Sequence, residues 1–410
     1  MPSGAERNGA TLNEGARGPL ADLYASFVSA RKAPFSDDLV EGSLERCLAA
    51  LPPLCRRARI TRLGDLTGLD RIGLPVMQAV RPAALSEVTS LGRGLSRAEA
   101  AVGALMESLE RYFAETIPAE RTFLATADQL EIADDLFDNL VVPQWRGKWR
   151  QRTIAWIDGI DVVGGSAHPV PLELVHTCYS EPQPSHDGVF LRTTTGLACH
   201  TSPHGAFLHG LWECLERDAI ARAFATHGFF DRWRIAPHGL GDGVDHIRSL
   251  AGARGISFAL WRAPSPAAVA VVWCQTVEAG FFGEPILALP TEGYAAGPSI
   301  EMAAASAMLE ALSARAGAIS GARDDQTREH YRRSTDAAVA KARELVLADA
   351  AAKPAEPTPA ATPDPGTLVD RVVEAGLGPV LAIPVGADEE AGVHCVRTVL
   401  PGASPFFVLR

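Results

Sequence analysis

The chain has 410 residues, 47% of them hydrophobic, enough to build one large core or two to three smaller ones. Its 38 Lys and Arg against 49 Asp and Glu leave a formal charge of −11, which argues against nucleic acid or an anionic membrane as the main partner; a polyphosphate ligand would have to arrive with a metal. The seven cysteines are odd in number, scattered and without a C-x-x-C, so they suggest neither a disulfide framework nor a zinc site and fit small core residues in a reducing, cytoplasmic compartment.

Residues 1–18 are polar and Gly-rich and read as a disordered lead rather than a signal peptide, and no apolar run reaches membrane-spanning length. Helical spacing begins at ADLYASFVSARKA, and 59–82 mixes short apolar runs with Gly and Pro, as strands and turns do. SLGRG (90–94) then reads as a Gly-rich turn feeding a long amphipathic helix. β-rich runs recur near 153, 255, 268, 285, 379 and 393, which predicts an α+β fold with mixed sheets. Three parts follow: a core over 19–324, a charged helical and Pro/Ala-rich insertion or lid over 325–367, and strands over 368–410 that complete the core.

The most informative feature is a repeat. Shifting the chain by 106 lays SRAEAAVGALMESLER (96–111) on SPHGAFLHGLWECLER (202–217), with 7 of 16 positions identical. A shift of 203 gives a third copy, placing Ser96 on Ser299, Ala100 on Ala303, Glu107 on Glu310 and Leu109 on Leu312. One turn-helix unit with an acid at fixed depth thus occurs three times. On a helix Glu107, Glu110 and Arg111 share a face, as do Glu213, Glu216 and Arg217. A single such cluster reads most simply as a solvated i,i+4 pair, but a solvated pair has no reason to recur behind the same small-residue turn. If the units pack around one centre, five carboxylates (Glu107, Glu110, Glu213, Glu216, Glu310) meet and require cations. Oxygen ligands of this kind suit Mg²⁺ bridging to phosphates, the arginines suit phosphate oxygens, and a helix opened by SLGRG would add backbone donors for an anion. No P-loop accompanies them, and Gly92-x-Gly94 lacks the remainder of a dinucleotide fingerprint.

The ordered motifs LDRIGLPVMQAVRP (69–82), SLGRG (90–94), ALMESLER (104–111), TTTGLACH (193–200) with LHGLWECLERDA (208–219), and the run 292–325 resemble the YcaO family across nearly the whole folded chain. The resemblance implies an ATP- and Mg²⁺-dependent enzyme that phosphorylates a peptide backbone amide oxygen and lets a nucleophile displace phosphate. Its products are azolines, thioamides or amidines according to the nucleophile. It places Ser90 and Arg93 against the nucleotide, Glu107 and Glu110 as the first Mg²⁺ pair, Glu213 and Glu216 as the second, and Arg217 on phosphate. Arg111, Thr195, Glu310, Arg315 and Arg323 then line the same cavity. This chain departs from the family in having Thr194-Thr195-Gly196 for Ser-Asn-Gly, His200 for a Gly, Ser313 for a Gln and Arg93 for a Lys.

His200, His204 and His209 lack a carboxylate or Cys at ligand spacing and read as structural or surface groups; His176 and Cys178 read as core rather than as a nucleophilic pair, and Trp145, Trp149 and Trp156 as packing groups. The ending VHCVRTVLPG resembles relatives that work with a TfuA-type partner, whereas the Pro-rich tail of cyclodehydratases is missing. The first expectation is therefore thioamide formation on a precursor peptide or protein with a separate partner, TfuA-like or E1-like and leader-binding, and a homodimer by family analogy. Azoline formation is the alternative, and a non-catalytic scaffold is the reading from another class, against which the five retained carboxylates argue.

Overall fold

The structure, a computed structural model, describes residues 18–35, 42–279, 285–323, 331, 336–348 and 361–406. Of the lead expected over residues 1–18, all but Gly18 lies outside them, as does the Pro/Ala stretch at 349–360.

Helices α1 (Pro19–Ala30), α2 (Ser43–Ala50) and α3 (Pro52–Arg57) precede a three-stranded sheet of β1 (Arg62–Asp65), β2 (Val76–Val80) and β3 (Thr89–Arg93), on which α4 (Arg97–Glu115) lies. Next come β4 (Thr122–Ala125), β5 (Ile154–Asp161), β6 (Ser166–Pro171), β7 (Leu197–His200) and α5 (Pro203–Ala225). Then follow α6 (Phe229–Arg232), β8 (Arg234–Ile235), α7 (Asp242–Gly252), β9 (Ile256–Arg262), β10 (Ala270–Glu278), β11 (Thr291–Gly297) and α8 (Ile300–Ser320). The chain closes with α9 (Ala337–Leu347), α10 (Pro365–Glu374), β12 (Leu381–Asp388) and β13 (Val393–Val399).

A second sheet runs β11-β10-β9-β8 and a third β4-β5-β12-β13-β7, with β6 on β5. The architecture mixes helices with several sheets, as expected, and every described ladder between strands is antiparallel. The run at 285–290 is not a strand although it reads as one: Pro285 and Pro290 lack the N–H a ladder needs, and Leu287 and Ala288 are buried in a loop. The insertion does not stand off the core as a lid where it is described. Helix α9 packs on β9 and β10 through the buried Val339 and Val346, and Arg234 donates to the Leu345 and Val346 carbonyls.

The three repeats are β3–α4, β7–α5 and β11–α8. In each, the strand is at a sheet edge and the repeated serine is the helix N-cap: Ser96, Ser202 and Ser299 accept from the backbone N–H of Glu99, Gly205 and Met302. Each helix packs on its own strand and on the strand of the next copy, α4 on β7, α5 on β11 and α8 on β3, so the units close into a ring. Small residues permit the approach. A Cβ on Gly92 would fall 1.9 Å from the Ala100 carbonyl oxygen, and one on Gly293 2.1 Å from that of Ala307.

Candidate active site

The ring gives the three equivalent acids one backbone contact each. Glu107 Oε2 accepts from the Leu91 N–H (2.9 Å), Glu213 Oε2 from Gly196 N–H (2.9 Å) and Glu310 Oε2 from Tyr294 N–H (3.3 Å). Two contacts cross between copies: Glu110 Oε1 accepts from Cys199 N–H on β7 (3.0 Å), and Arg93 on β3 donates to Glu310 on α8 (3.2 Å). Five carboxylates therefore line one cleft. Its walls remain open to solvent, the side chains of Glu107, Glu213 and Glu310 being 37%, 24% and 26% exposed.

The like charges disturb one another. Burial pushes Glu110 well above the usual carboxylate range, and Glu107 and Glu213 push it further; Glu216 is raised to about 8 by burial, against the pull of Arg217 and with Glu310 and Glu213 adding to the rise. Burial also raises Glu107, opposed first by Arg111. Glu216 Oε1 is buried without a hydrogen-bond partner among the described residues, although Arg217 Nε comes within 3.2 Å. A cluster that ionises with such difficulty and keeps an orphaned oxygen suits a hard divalent cation. Among the described residues no three metal-capable side chains are already gathered at ligating distance; the carboxylates turn to arginines and amides instead.

The arginines differ in their positions. Arg217 contacts Glu213 and Glu216 and has aromatic faces on two neighbours, Tyr294 (5.5 Å) and Phe406 (5.7 Å). Arg111 bonds Glu107 (3.0 Å), Glu87 (2.7 Å) and Ser90 Oγ (3.0 Å), which commits the buried Ser90 to an internal contact. Arg315 is not brought into the cluster: it is buried and pairs with Glu278 at 2.6 Å. Arg323 lies just past the α8 cap Gly321, its stem beside Gly317. Thr195 sits where the chain turns into β7, its N–H bonded to Thr193 Oγ1.

SLGRG is not a turn. It runs through β3, and neither Gly92 nor Gly94 has positive φ; the glycines admit α4 and Glu99 at close range. At the start of α4, where an anion site was expected, Ser96 and Glu99 form a capping box: Ser96 Oγ accepts from the Glu99 N–H, and the Glu99 carboxylate accepts from the Leu95 and Ser96 N–H groups. Elsewhere His176 Nε2 lies 3.1 Å from Asp187 Oδ2 while Nδ1 accepts from the Cys178 N–H; His204 meets Ser26 and His200 meets Ser202. Sequence reasoning did not single out Tyr294, Phe406 or Arg397. An arginine alternating with apolar residues in VHCVRTVL was the available signal for the last.

The model described as YcaO cyclodehydratase, ATP- and Mg²⁺-binding, matches residues 91–404. The chain belongs to the YcaO family. A protein from the tfuA 3′ region of Rhizobium leguminosarum bv. trifolii is 30% identical over 374 residues, covering 86% of each chain, and one from Methanothermobacter thermautotrophicus is 31% identical over 278 residues, covering 67% of this chain and 70% of the relative. Among solved structures, YcaO from Methanopyrus kandleri bound with AMPPCP and Mg²⁺ superposes with TM-score 0.65 at 24% identity, covering 90% of this chain and 92% of that one. A heterocyclase in complex with substrate and cofactor gives 0.68 at 16% identity, covering 92% of this chain and 54% of that one. Both share the YcaO fold seen here. No helix among the described residues is long and apolar enough to cross a membrane.

Proposed function

We propose that this YcaO protein uses ATP and Mg²⁺ to phosphorylate the oxygen of a peptide backbone amide and then exchanges that oxygen for sulfur, maturing a ribosomally made peptide or protein with a TfuA-type partner. The observation that carries the reading is the closed ring of three units, which aims five carboxylates from α4, α5 and α8 into one cleft with Arg93 and Arg217 among them. The relative from a tfuA region supports sulfur as the incoming atom.

Glu107, Glu110, Glu213 and Glu216 would hold Mg²⁺, which supplies charge neutralisation along the triphosphate. Arg217, braced by Tyr294 and Phe406 and already facing carboxylates, is preorganised for phosphate oxygens, and Arg93 offers a second cation next to Glu310. In the reaction the amide oxygen bonds to the γ-phosphorus as ADP leaves; hydrosulfide then bonds to the amide carbon and the C–O bond breaks, expelling phosphate. Azoline formation uses the same activated amide with a neighbouring side chain as nucleophile.

The test is nucleotide-dependent stabilisation followed by product mass. Mg-AMPPCP raises the melting temperature of the wild type and leaves Glu107→Gln and Glu216→Gln unmoved. A co-expressed substrate peptide that exchanges oxygen for sulfur supports thioamidation, whereas loss of water gives the cyclodehydratase reading. Absence of any shift at millimolar nucleotide leaves the scaffold.

A further inference from the structure

Next to Thr195 and Arg217 lies a half-open cavity of about 60 Å³ whose wall is mostly apolar, with Leu140, Leu191, Leu400 and Phe406 in it. Two guanidiniums, Arg217 and Arg397, interrupt that wall. Arg397 is carried by β13 in the third sheet, opposite Ile383 on β12 and Leu197 on β7, and is only 4% exposed. One of its nitrogens is engaged: Nη2 donates to the Thr193 carbonyl at 2.7 Å. Nε and Nη1 are buried and have no partner among the described residues.

Among the described residues no carboxylate hydrogen-bonds to Arg397, and further donors stand near it. The Tyr179 hydroxyl and Arg192 Nη1 are likewise buried and unpartnered among the described residues, and the Arg192 guanidinium lies over the Tyr179 ring at 5.4 Å. Tyr179 lies close enough to Arg397, Arg192 and Arg111 to feel all three charges, with Glu87 opposing them. A buried guanidinium with two nitrogens unpaired is costly to hold, worth several kcal/mol if nothing ever fills it. Either free nitrogen, Nε or Nη1, can pair with the second hydrogen of Nη2 to form the planar fork that matches a carboxylate, and apolar walls suit a carboxylate carried on a hydrocarbon body better than a free inorganic anion.

We propose that this cavity is a substrate subsite in which Arg397 receives a carboxylate borne by an apolar peptide segment. Calling it the acceptor side of the reaction rests on the nucleotide reading given above; the binding of a carboxylate does not. Arg217 stands between the two regions, lining the cavity while contacting Glu213 and Glu216, so a segment anchored on Arg397 would lie beside the phosphates.

The experiment titrates the full-length protein with hexanoate, hexanamide and inorganic phosphate, without nucleotide, following binding by ligand-observed NMR. Hexanoate is expected to bind at least tenfold more tightly than hexanamide. Arg397→Gln should abolish that preference while the Mg-AMPPCP shift persists. Arg397→Lys, which keeps a cation but loses the fork, should retain a reduced preference, and it carries the test if Arg397→Gln does not fold. Equal binding of acid and amide, no binding of hexanoate, or displacement of hexanoate by AMPPCP or phosphate overturns the proposal, the last by assigning the cavity to nucleotide. A wild type that binds hexanoate but shows no response to Mg-AMPPCP keeps the carboxylate subsite and sinks the nucleotide reading instead.

Discussion

Gly92→Ala tests the ring at its tightest point. The new methyl would lie 1.9 Å from the Ala100 carbonyl oxygen and 2.2 Å from the Ala104 nitrogen, both helix backbone, so no rotamer change can relieve it. Reaching ordinary contact requires β3 to retreat from α4 by about 1.5 Å, an overpacking cost of about 3 kcal/mol or more. The adjacent Leu91 N–H would retreat with it, releasing the Glu107 carboxylate from its 2.9 Å hydrogen bond. Gly103→Ala, on the helix side of the same contact, is the control. Its methyl meets the Gly92 Cα at 3.4 Å and nothing closer, and removing glycine from a helix interior gains up to about 1 kcal/mol. Urea unfolding should therefore show a large fall in midpoint for Gly92→Ala and a neutral or raised one for Gly103→Ala. Mg-AMPPCP stabilisation should be lost in the first and kept in the second. Equal effects from the two substitutions, or an unchanged midpoint for Gly92→Ala, would refute the register of β3 on α4 and with it the placement of Glu107.

Other expectations follow from single contacts. Arg315→Met takes from the buried Glu278 its nearest cation, leaving Arg71 at 3.6 Å and the Ile286 N–H, and should cost about 3 kcal/mol in denaturant unfolding, whereas the double variant with Glu278→Gln should recover most of it; the nucleotide shift of the folded protein should survive, since Arg315 pairs outside the acid cluster. Asp187→Asn removes the carboxylate that the buried His176 Nε2 meets at 3.1 Å and should cost about 1–3 kcal/mol in urea unfolding. Phe406→Ala removes one of the two rings beside Arg217 and should weaken Mg-AMPPCP binding a few-fold, read as a higher Kd with little change in melting temperature of the free protein.

Much of this arrangement was legible because the repeat is written in residues whose roles are local. A serine at 96, 202 and 299 caps the same helix turn each time, and an acid eleven residues later faces the same strand amide. What stayed hidden depends on partners remote in sequence. Glycines at 92 and 94 read as a turn because sequence alone does not separate positive φ from close approach; here the reason is α4. The apolar run at 285–290 recorded burial, but its two prolines denied it a ladder. Arg315 reads as lining the nucleotide cavity, but Glu278, 37 positions earlier, pairs with it.

The ring also explains why the three copies are allowed to differ. Only contacts that cross between copies must be kept for closure, and the three seams solve that problem with different residues. Between α4 and β7 the bond is Glu110 to the Cys199 amide; between β3 and α8 it is the Arg93–Glu310 ion pair. Between α5 and β11 it is the Arg217 guanidinium over the Tyr294 ring, 5.5 Å from its centroid. The third helix can therefore carry Ser313 in place of a second acid without opening the ring, since Glu310 alone holds both its own strand and β3. The acid count falls from two to one at that copy, so the cleft is lopsided: four carboxylates on α4 and α5 face one carboxylate and Arg93 on the α8 side. A metal-bearing triphosphate would then meet most of its acids on the first two units, with Arg217 standing among them on α5 and Arg93 facing them from beside Glu310.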